Sequence, residues 1–168
     1  MTAKIITFAI LRNSAVVLSL NLYMTIFTKN VSIRWSDLDP NFHLRHSVYY
    51  DLAAQQRIEV LQELGLTIQV MAAQHFGPVL FREECVFKKE IRLGQEVIIN
   101  AKLAKVRADG SRWTIQQEFQ SPDGTLLALL TVDGAWMDTV LRKIASPTPP
   151  IVMEVMNTFP KTDEFSGA

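Results

Sequence analysis

Residues 37 to 46 hold several side chains that could do chemistry. Two carboxylates, Asp37 and Asp39, are followed by two imidazoles, His43 and His46. A carboxylate can attack a carbonyl carbon or act as general base on water, and a nearby imidazole can orient the carboxylate or the water. Oxygen and nitrogen donors at this spacing can also bind zinc, so Asp39, His43 and His46 form an alternative metal site. The residues alone leave a third interpretation open, since Asp39 precedes Pro40 and such aspartates are typical of turns.

The elements around this segment would have to position it. An alternating pattern predicts a strand over residues 25 to 35, and the turn-forming residues that follow end it. Apolar residues at helical spacing then predict the longest helix of the chain, from Ser47 to Leu64, with Gly65 as its stop. Ser47 is predicted to cap this helix and Asp51 to lie in its favourable first turn. The helix would therefore begin just after the chemical segment and point its free N–H groups back towards it.

The second half of the chain has a different periodicity. A short helix is predicted from Thr67 to His75, with His75 as a surface residue at its end. Four runs with period two then follow, separated by short turns that favour antiparallel neighbours. Gly134 within the last run suggests a bulge, and residues 151 to 159 read as a short apolar helix. The order of elements predicts an α+β fold, in which a curved antiparallel sheet packs its apolar face on the long helix.

Composition excludes some classes of partner. The 168 residues fit one domain, and 17 basic against 17 acidic side chains produce no overall field that would attract nucleic acid or an anionic membrane. The single cysteine, Cys85, excludes an internal disulfide framework and mildly favours a cytoplasmic protein; in its apolar run it is predicted to be a small core residue. The apolar runs near the start are too short to span a bilayer. We therefore treat residues 1 to 23 as an extension of uncertain status and residues 24 to 168 as the domain.

One family matches these motifs. Residues 31 to 50, with Arg57-Ile-Glu-Val-Leu61 and Leu64-Gly65, resemble the 4-hydroxybenzoyl-CoA thioesterase-like branch of the hotdog superfamily. The resemblance implies a hotdog fold, with five or six antiparallel strands wrapped around a long central helix. It also implies hydrolysis of an acyl-CoA to a free acid and CoA, at a site in the interface of a homodimer or dimer of dimers. No cofactor beyond the CoA of the substrate is implied, and no metal, so the zinc alternative is less favoured.

The same resemblance assigns roles to residues. The second aspartate of Asp-x-Asp, here Asp39, would be the nucleophile or general base, and backbone amides near His46 and Ser47 would polarise the thioester carbonyl. Other residues are predicted to contact substrate: His43, Tyr49 and Tyr50 near the reacting group, and Lys105, Arg107 and Arg112 near the phosphates of CoA. For the three cations, a solvated hairpin is the structural alternative.

Two rival functions stay open. A hotdog hydratase or dehydratase would present its histidine and acid differently from the Asp-x-Asp-Pro loop. A noncatalytic acyl-CoA-binding module would keep the fold without turnover. Asn41-Phe42 stands where many relatives of the family carry glycine, and this departure keeps the binding module in consideration.

Overall fold

The computed structural model describes residues 25–167, and the extension predicted for residues 1 to 23 lies outside the described residues. Within the described residues, seven strands form one sheet around a long helix. The strands are β1 (Thr28–Val31), β2 (Phe76–Phe87), β3 (Val97–Val106), β4 (Arg112–Gln120), β5 (Leu126–Asp138), β6 (Lys143–Ile144) and β7 (Lys161–Gly167). The helices are α1 (His46–Glu63), α2 (Ile68–Ala73) and α3 (Pro150–Thr158).

The sheet has the order β1-β3-β4-β5-β2, with antiparallel neighbours throughout this path. The short strand β6 pairs with β5, and β7 pairs with β3 in parallel. The order places β2 at one edge, although β2 is among the longest strands. This is the hotdog fold predicted from the sequence, enlarged by two strands that the periodicity did not reveal.

Helix α1 crosses the inner face of the sheet because its apolar stripe and the alternating strand residues bury each other. Val48, Ala53 and Val60 on α1 are buried in one core with the inward residues of β3, β4 and β5. Cys85 is half-buried against this core, and burial raises the pKa of its thiol to about 11. The thiol is therefore protonated at neutral pH and packs as the predicted small core residue.

A polar network crosses the core where α1 meets the sheet. The guanidinium of the buried Arg57 donates to Gln117 Oε1 on β4 (2.7 Å) and to Glu83 Oε1 on β2 (2.8 Å). Gln117 Nε2 donates to Ala53 O (2.9 Å) and to the side chain of Gln56. Because each buried polar group has a partner, the network fixes α1 against two strands at once.

Three local predictions are wrong. Asp51 lies in the second turn of α1, because the helix begins at His46 and no acidic residue falls in its first turn. Ser47 does not cap α1: Arg45 takes the N-cap position with extended backbone, and Ser47 lies inside the first turn. The predicted bulge in β5 at Gly134 is absent: the register between β2 and β5 shifts next to Gly134, but the extra residue is Phe81 in β2. Gly134 is required for a different reason, since a Cβ there would lie 2.5 Å from the Trp113 ring.

Among the helices formed by residues 25–167, none is long and apolar enough to cross a membrane.

Candidate active site

Residues 37–45 form a tight hairpin that leads from β1 to α1. Leu38 and Leu44 pair as an antiparallel bridge, and the amide of Asp39 donates to His43 O (2.8 Å). The turn closes when the amide of Phe42 donates to Asp39 O (3.0 Å). Phe42 has a φ of 61°, in the left-handed region that glycine adopts without strain. The departure from glycine noted in the sequence therefore falls on a residue with the backbone conformation that glycine favours.

Asp37 anchors the base of this hairpin. Its buried carboxylate accepts from the Arg34 amide (3.0 Å) and from the Arg34 guanidinium (3.0 Å at Nε and 2.8 Å at Nη2). The hydrogen bonds from the Arg34 side chain hold the pKa of Asp37 below its ordinary value. The backbone carbonyl of Asp37 accepts from the Arg45 amide (2.9 Å), which sets where α1 begins.

Asp39 is held by the backbone around it. Its Oδ1 accepts from the amides of Asn41 (2.8 Å) and His43 (3.1 Å). These two bonds, the one from His43 above all, lower the pKa of Asp39 from its ordinary 3.8. No hydrogen bond from residues 25–167 reaches Oδ2. The carboxylate is thus ionised at neutral pH and has one oxygen without a protein partner, which a water or a substrate atom could meet.

The N-terminus of α1 opens beside this carboxylate. The amide of Val48 donates to Arg45 O (2.9 Å), whereas the amides of His46 and Ser47 meet no acceptor in the described part of the chain. Free amides at a helix start carry partial positive charge and can stabilise an oxyanion.

A cavity of about 360 Å³, which we call the Asp39 cavity, lies between this hairpin, α1 and the end of β2. Its lining comprises Asp39, His43, Leu44, His46, Tyr49, Phe87, Lys88, Lys89 and Glu90. Tyr49 is buried against the rings of Phe87 (5.0 Å between centroids) and Phe119 (5.3 Å). Burial raises the pKa of Tyr49 to about 12, so its phenol keeps its proton and can donate a hydrogen bond. The cavity therefore combines a carboxylate, two imidazoles, a phenol and a helix start.

The fold gathers some of the predicted site residues and separates others. Asp39, His43, His46 and Tyr49 share the Asp39 cavity, whereas Ser47 is exposed and does not line it. Tyr50 is half-buried and packs against the core. Three predicted CoA-binding cations lie elsewhere on the chain, around a different cavity of about 280 Å³: Lys105, Arg107 and Arg112.

The sequence contains no motif that would identify four of the lining residues as part of a site: Phe87, Lys88, Lys89 and Glu90. They follow a strand-like run and read as an ordinary charged strand end. Their place in the cavity depends on β2 ending beside the start of α1, which is a long-range contact. Hydrogen bonds from its own amide and from Arg92 lower the pKa of Glu90, so the cavity holds a second ionised carboxylate.

The zinc alternative finds no support in the geometry. Within residues 25–167, no group of three or more His, Cys, Asp or Glu side chains is arranged to hold a metal ion. Asp39, His43 and His46 line one cavity without forming a ligand set.

Comparison with known protein families identifies the class of protein to which this chain belongs. The model of the thioesterase-like superfamily matches residues 33–156, and the chain belongs to that family. The match includes the hairpin, α1 and the four long strands β2 to β5. A comparison with curated proteins found no relative that matches this chain.

Solved structures share the fold at low identity. A 1,4-dihydroxy-2-naphthoyl-CoA thioesterase from Synechocystis is 17% identical with a TM-score of 0.69, covering 78% of this chain and 95% of that one. A hypothetical protein from Staphylococcus aureus, solved in complex with CoA, is 16% identical with a TM-score of 0.73, covering 81% and 87%. A DHNA-CoA thioesterase from the same organism is 16% identical with a TM-score of 0.69, covering 78% and 88%. At these identities the likeness establishes the hotdog fold.

Proposed function

We propose that this protein hydrolyses acyl-CoA thioesters and that Asp39 is its catalytic carboxylate. The observation that carries the proposal is the arrangement of Asp39 beside the free amides of His46 and Ser47. In a hydrolysis, the thioester oxygen becomes an oxyanion while water or the carboxylate attacks the carbonyl carbon. If water attacks with Asp39 as base, the C–S bond breaks and CoA leaves as the thiol with the proton taken from that water. If Asp39 attacks, C–S cleavage leaves a mixed anhydride on Asp39, and water then hydrolyses it to the free acid, restores the carboxylate and supplies the proton of the thiol. Donors for the oxyanion and a base or nucleophile are the two groups that this reaction needs.

Membership of the thioesterase-like superfamily supports the reaction class. The bound CoA of one structural neighbour and the thioesterase activities of two others support CoA as the carrier of the acyl group. Lys88 and Lys89 add positive charge beside Asp39. We keep Lys105, Arg107 and Arg112 as the proposed contacts for the CoA phosphates, and no cofactor beyond CoA is required.

The test is the Asp39→Asn variant. An asparagine oxygen can still accept from the amides of Asn41 and His43, so the hairpin should keep its shape while the charge is lost. We expect CoA release, followed with a thiol reagent over short, long and aromatic acyl-CoAs, to fall by a factor of about 10² to 10⁴.

A matched control exists in the same chain. Asp138 Oδ1 also accepts two backbone amides, from Val140 (2.9 Å) and Leu141 (2.7 Å), but Asp138 is the last residue of β5 and lies outside the Asp39 cavity. Asp138→Asn should leave turnover unchanged. Full turnover in Asp39→Asn would contradict the assignment of Asp39.

A noncatalytic acyl-CoA-binding module is the second candidate. The two amides that hold Asp39 favour it, because they make the carboxylate a turn-forming group and a weaker base. Tight binding of acyl-CoA by the wild-type protein without CoA release would support this candidate. A hydratase or dehydratase would instead change the acyl chain while the thioester stays intact.

We further propose that the protein assembles as a homodimer, or a dimer of dimers, through the edge of β2. This strand has 12 residues, lies at the end of the sheet and exposes Leu80, Phe81, Val86 and Phe87. A long edge strand with exposed apolar side chains favours pairing with another strand. Such a dimer would bring the partner's β2 close to the Asp39 cavity.

A further inference from the structure

Among the described residues that line the Asp39 cavity, only Tyr49 carries a hydroxyl group. The residue is 3% exposed, and its ring packs against the rings of Phe87 and Phe119, with 5.0 and 5.3 Å between the centroids. Burial and the two ring contacts fix the position of the phenol. A donor that is already fixed needs little reorganisation when a substrate reacts beside it.

The hydroxyl of Tyr49 has no partner, yet it is not sealed in the core. Within residues 25–167, its Oη takes part in no hydrogen bond. Four other side-chain polar atoms of this part of the chain are fully buried without a partner: Trp113 Nε1, Trp136 Nε1, Thr148 Oγ1 and Thr162 Oγ1. Tyr49 Oη is not one of these and therefore keeps accessible surface, which opens into the Asp39 cavity. A phenylalanine would make the same ring contacts without an unsatisfied hydroxyl, so packing alone does not explain the tyrosine.

The proton of this phenol is available to a bound molecule. Burial is the main cause that raises the pKa of Tyr49 to about 12, and the carboxylates of Asp39 and Glu90 add to it. No hydrogen bond joins the phenol to either carboxylate: Asp39 Oδ1 accepts two backbone amides, and Glu90 accepts from Arg92. The phenol is therefore a protonated donor at neutral pH, and the described protein groups do not use its proton.

The place of Tyr49 on α1 directs its hydroxyl towards the start of the helix. Tyr49 lies three residues after His46, so the two side chains occupy one face of α1, and both line the Asp39 cavity. Long side chains in a helix lean towards its N-terminus, here towards the free amides of His46 and Ser47. An oxygen that accepts from these amides would lie on the side to which the phenol extends.

We infer that Tyr49 is a further catalytic residue, whose phenol donates a hydrogen bond to the carbonyl oxygen of the substrate and stabilises the oxyanion together with the helix amides. Its part in turnover rests on the proposed function, whereas its hydrogen bond to a bound carbonyl does not. The phenol keeps its proton throughout, so no bond to it forms or breaks. The proton of the leaving thiol still comes from water.

Tyr49→Phe removes the hydroxyl and leaves the ring. With the acyl-CoA that the wild type hydrolyses fastest, we expect kcat to fall by a factor of about 10² to 10³ with little change in KM, because an oxyanion donor acts mainly in the transition state. Tyr50→Phe is the matched control, since Tyr50 is the next residue of α1, is half-buried and does not line the cavity. Its kcat should equal that of the wild type. An unchanged kcat in Tyr49→Phe, or the same loss in both variants, would overturn the inference.

Urea unfolding separates a catalytic role from a structural one. Because the hydroxyl has no partner in the folded protein, Tyr49→Phe should keep or raise the free energy of unfolding. A lower kcat that comes with a lower free energy of unfolding would assign Tyr49 a structural role and contradict the inference.

A ketone that cannot be hydrolysed reports the hydrogen bond itself. In the dethia analogues of acetyl-CoA and benzoyl-CoA, CH₂ replaces the sulfur, and a ¹³C-labelled ketone carbonyl stands in place of the thioester carbonyl. A hydrogen bond to this oxygen lowers its infrared stretching frequency. We therefore expect a lower frequency on the wild type and Tyr50→Phe than on Tyr49→Phe. One frequency on all three proteins, or no bound ketone, would overturn the inference even if kcat falls, because the phenol would then act on another group such as the leaving sulfur.

The two assays distinguish this inference from the proposed function. If the wild type releases CoA and Asp39→Asn does not, but Tyr49→Phe equals the wild type, the proposed function stands and the inference fails. If no thioester is hydrolysed but the carbonyl frequency depends on Tyr49, the proposed function fails and Tyr49 remains a donor to the carbonyl of a bound ligand.

Discussion

At the scale of single residues, Asp39 is both a turn-forming group and the proposed catalytic carboxylate. Oδ1 accepts two amides and so determines the shape of the hairpin, while Oδ2 has no protein partner within the described residues. A residue that does both can be tested only by a change that keeps the first role. Asparagine meets that condition, whereas alanine would remove the turn and the charge together.

The lowered pKa of Asp39 predicts how activity depends on pH. Since the two amides favour the charged form, the pKa of Asp39 lies below its ordinary 3.8 and the carboxylate is more than half ionised at every pH above that value. We therefore expect the ratio of kcat/KM between the wild type and Asp39→Asn to stay constant from neutral to mildly acidic pH and to fall only as the pH approaches 3.8 or lower. The measurement is CoA release at several pH values with both proteins. A ratio that already declines well above that pH would mean that Asp39 titrates as a carboxyl with a raised pKa.

Asp37 predicts a pH dependence of stability. Arg34 lowers the pKa of the buried Asp37 carboxyl in the folded state. A lowered pKa stabilises the fold above the unfolded value, and this contribution is lost as the pH falls through the folded value. We expect Asp37→Asn to cost about 1–3 kcal/mol in the free energy of unfolding at neutral pH. Urea unfolding should show this difference shrinking below pH 3.8. A difference that is independent of pH would exclude the ion pair as its cause.

The sequence was sufficient to predict those site residues that lie close together along the chain. Asp39, His43, His46 and Tyr49 fall within one hairpin and the first turn of one helix, so a local motif contains them. Lys88, Lys89 and Glu90 join them only through tertiary structure. Lys105, Arg107 and Arg112 were grouped by proximity in sequence, and the fold indeed keeps them together, but around another cavity.

At the scale of elements, a bulge decides which residues of β2 face α1. Before the bulge Leu80 lines a cavity of about 240 Å³ between α1 and the sheet, and after it Glu83 points inward to Arg57. The displaced residue, Phe81, lies on the outer face under the Arg112 guanidinium (5.0 Å). Strict alternation would place Phe81 on the same face as Cys85 and Phe87, but one extra residue inverts the phase of a strand.

The Arg57–Glu83 contact should therefore be a principal link between α1 and β2. The pair is largely desolvated, with side chains 10% and 28% exposed, and burial lowers the pKa of Arg57. In a double-mutant cycle with Arg57→Met and Glu83→Gln, we expect a coupling free energy of about 1–3 kcal/mol from urea unfolding. Lys29–Glu59 (2.6 Å) is a matched control on the same helix, more exposed at 29% and 41%. Its coupling should stay below about 1 kcal/mol. Equal couplings would show that burial does not strengthen the inner pair.

The long elements were predictable because each repeats a period. The helix predicted from Ser47 to Leu64 agrees with α1 (His46–Glu63) to within one residue at each end. The four runs of period two correspond to strands β2 to β5. The short strands β6 and β7 have too few residues to show a period. Strand β1, predicted from 25 to 35, shrinks to Thr28–Val31 because it can pair only where β3 lies alongside it.

At the scale of the whole molecule, β2 leaves one long edge of the sheet without a neighbouring strand among the described residues. The amide of Lys88 donates to Leu127 O (2.8 Å), so antiparallel alternation directs the amides of Glu83, Cys85 and Phe87 away from β5. These three amides would face solvent in a monomer. In the proposed dimer, the partner's β2 would accept them.

Hydrogen exchange distinguishes the two states without a mutation. We expect the amides of Glu83, Cys85 and Phe87 to exchange slowly, at rates similar to those of Glu84 and Val86, which point towards β5. NMR-detected exchange resolves each amide, and sedimentation measures the mass of the same sample. Because a dimer dissociates on dilution, protection of the three outer amides should fall with the protein concentration, while Glu84 and Val86 stay protected. Fast exchange of the outer amides in a sample with twice the chain mass would show that the protein dimerises through another surface.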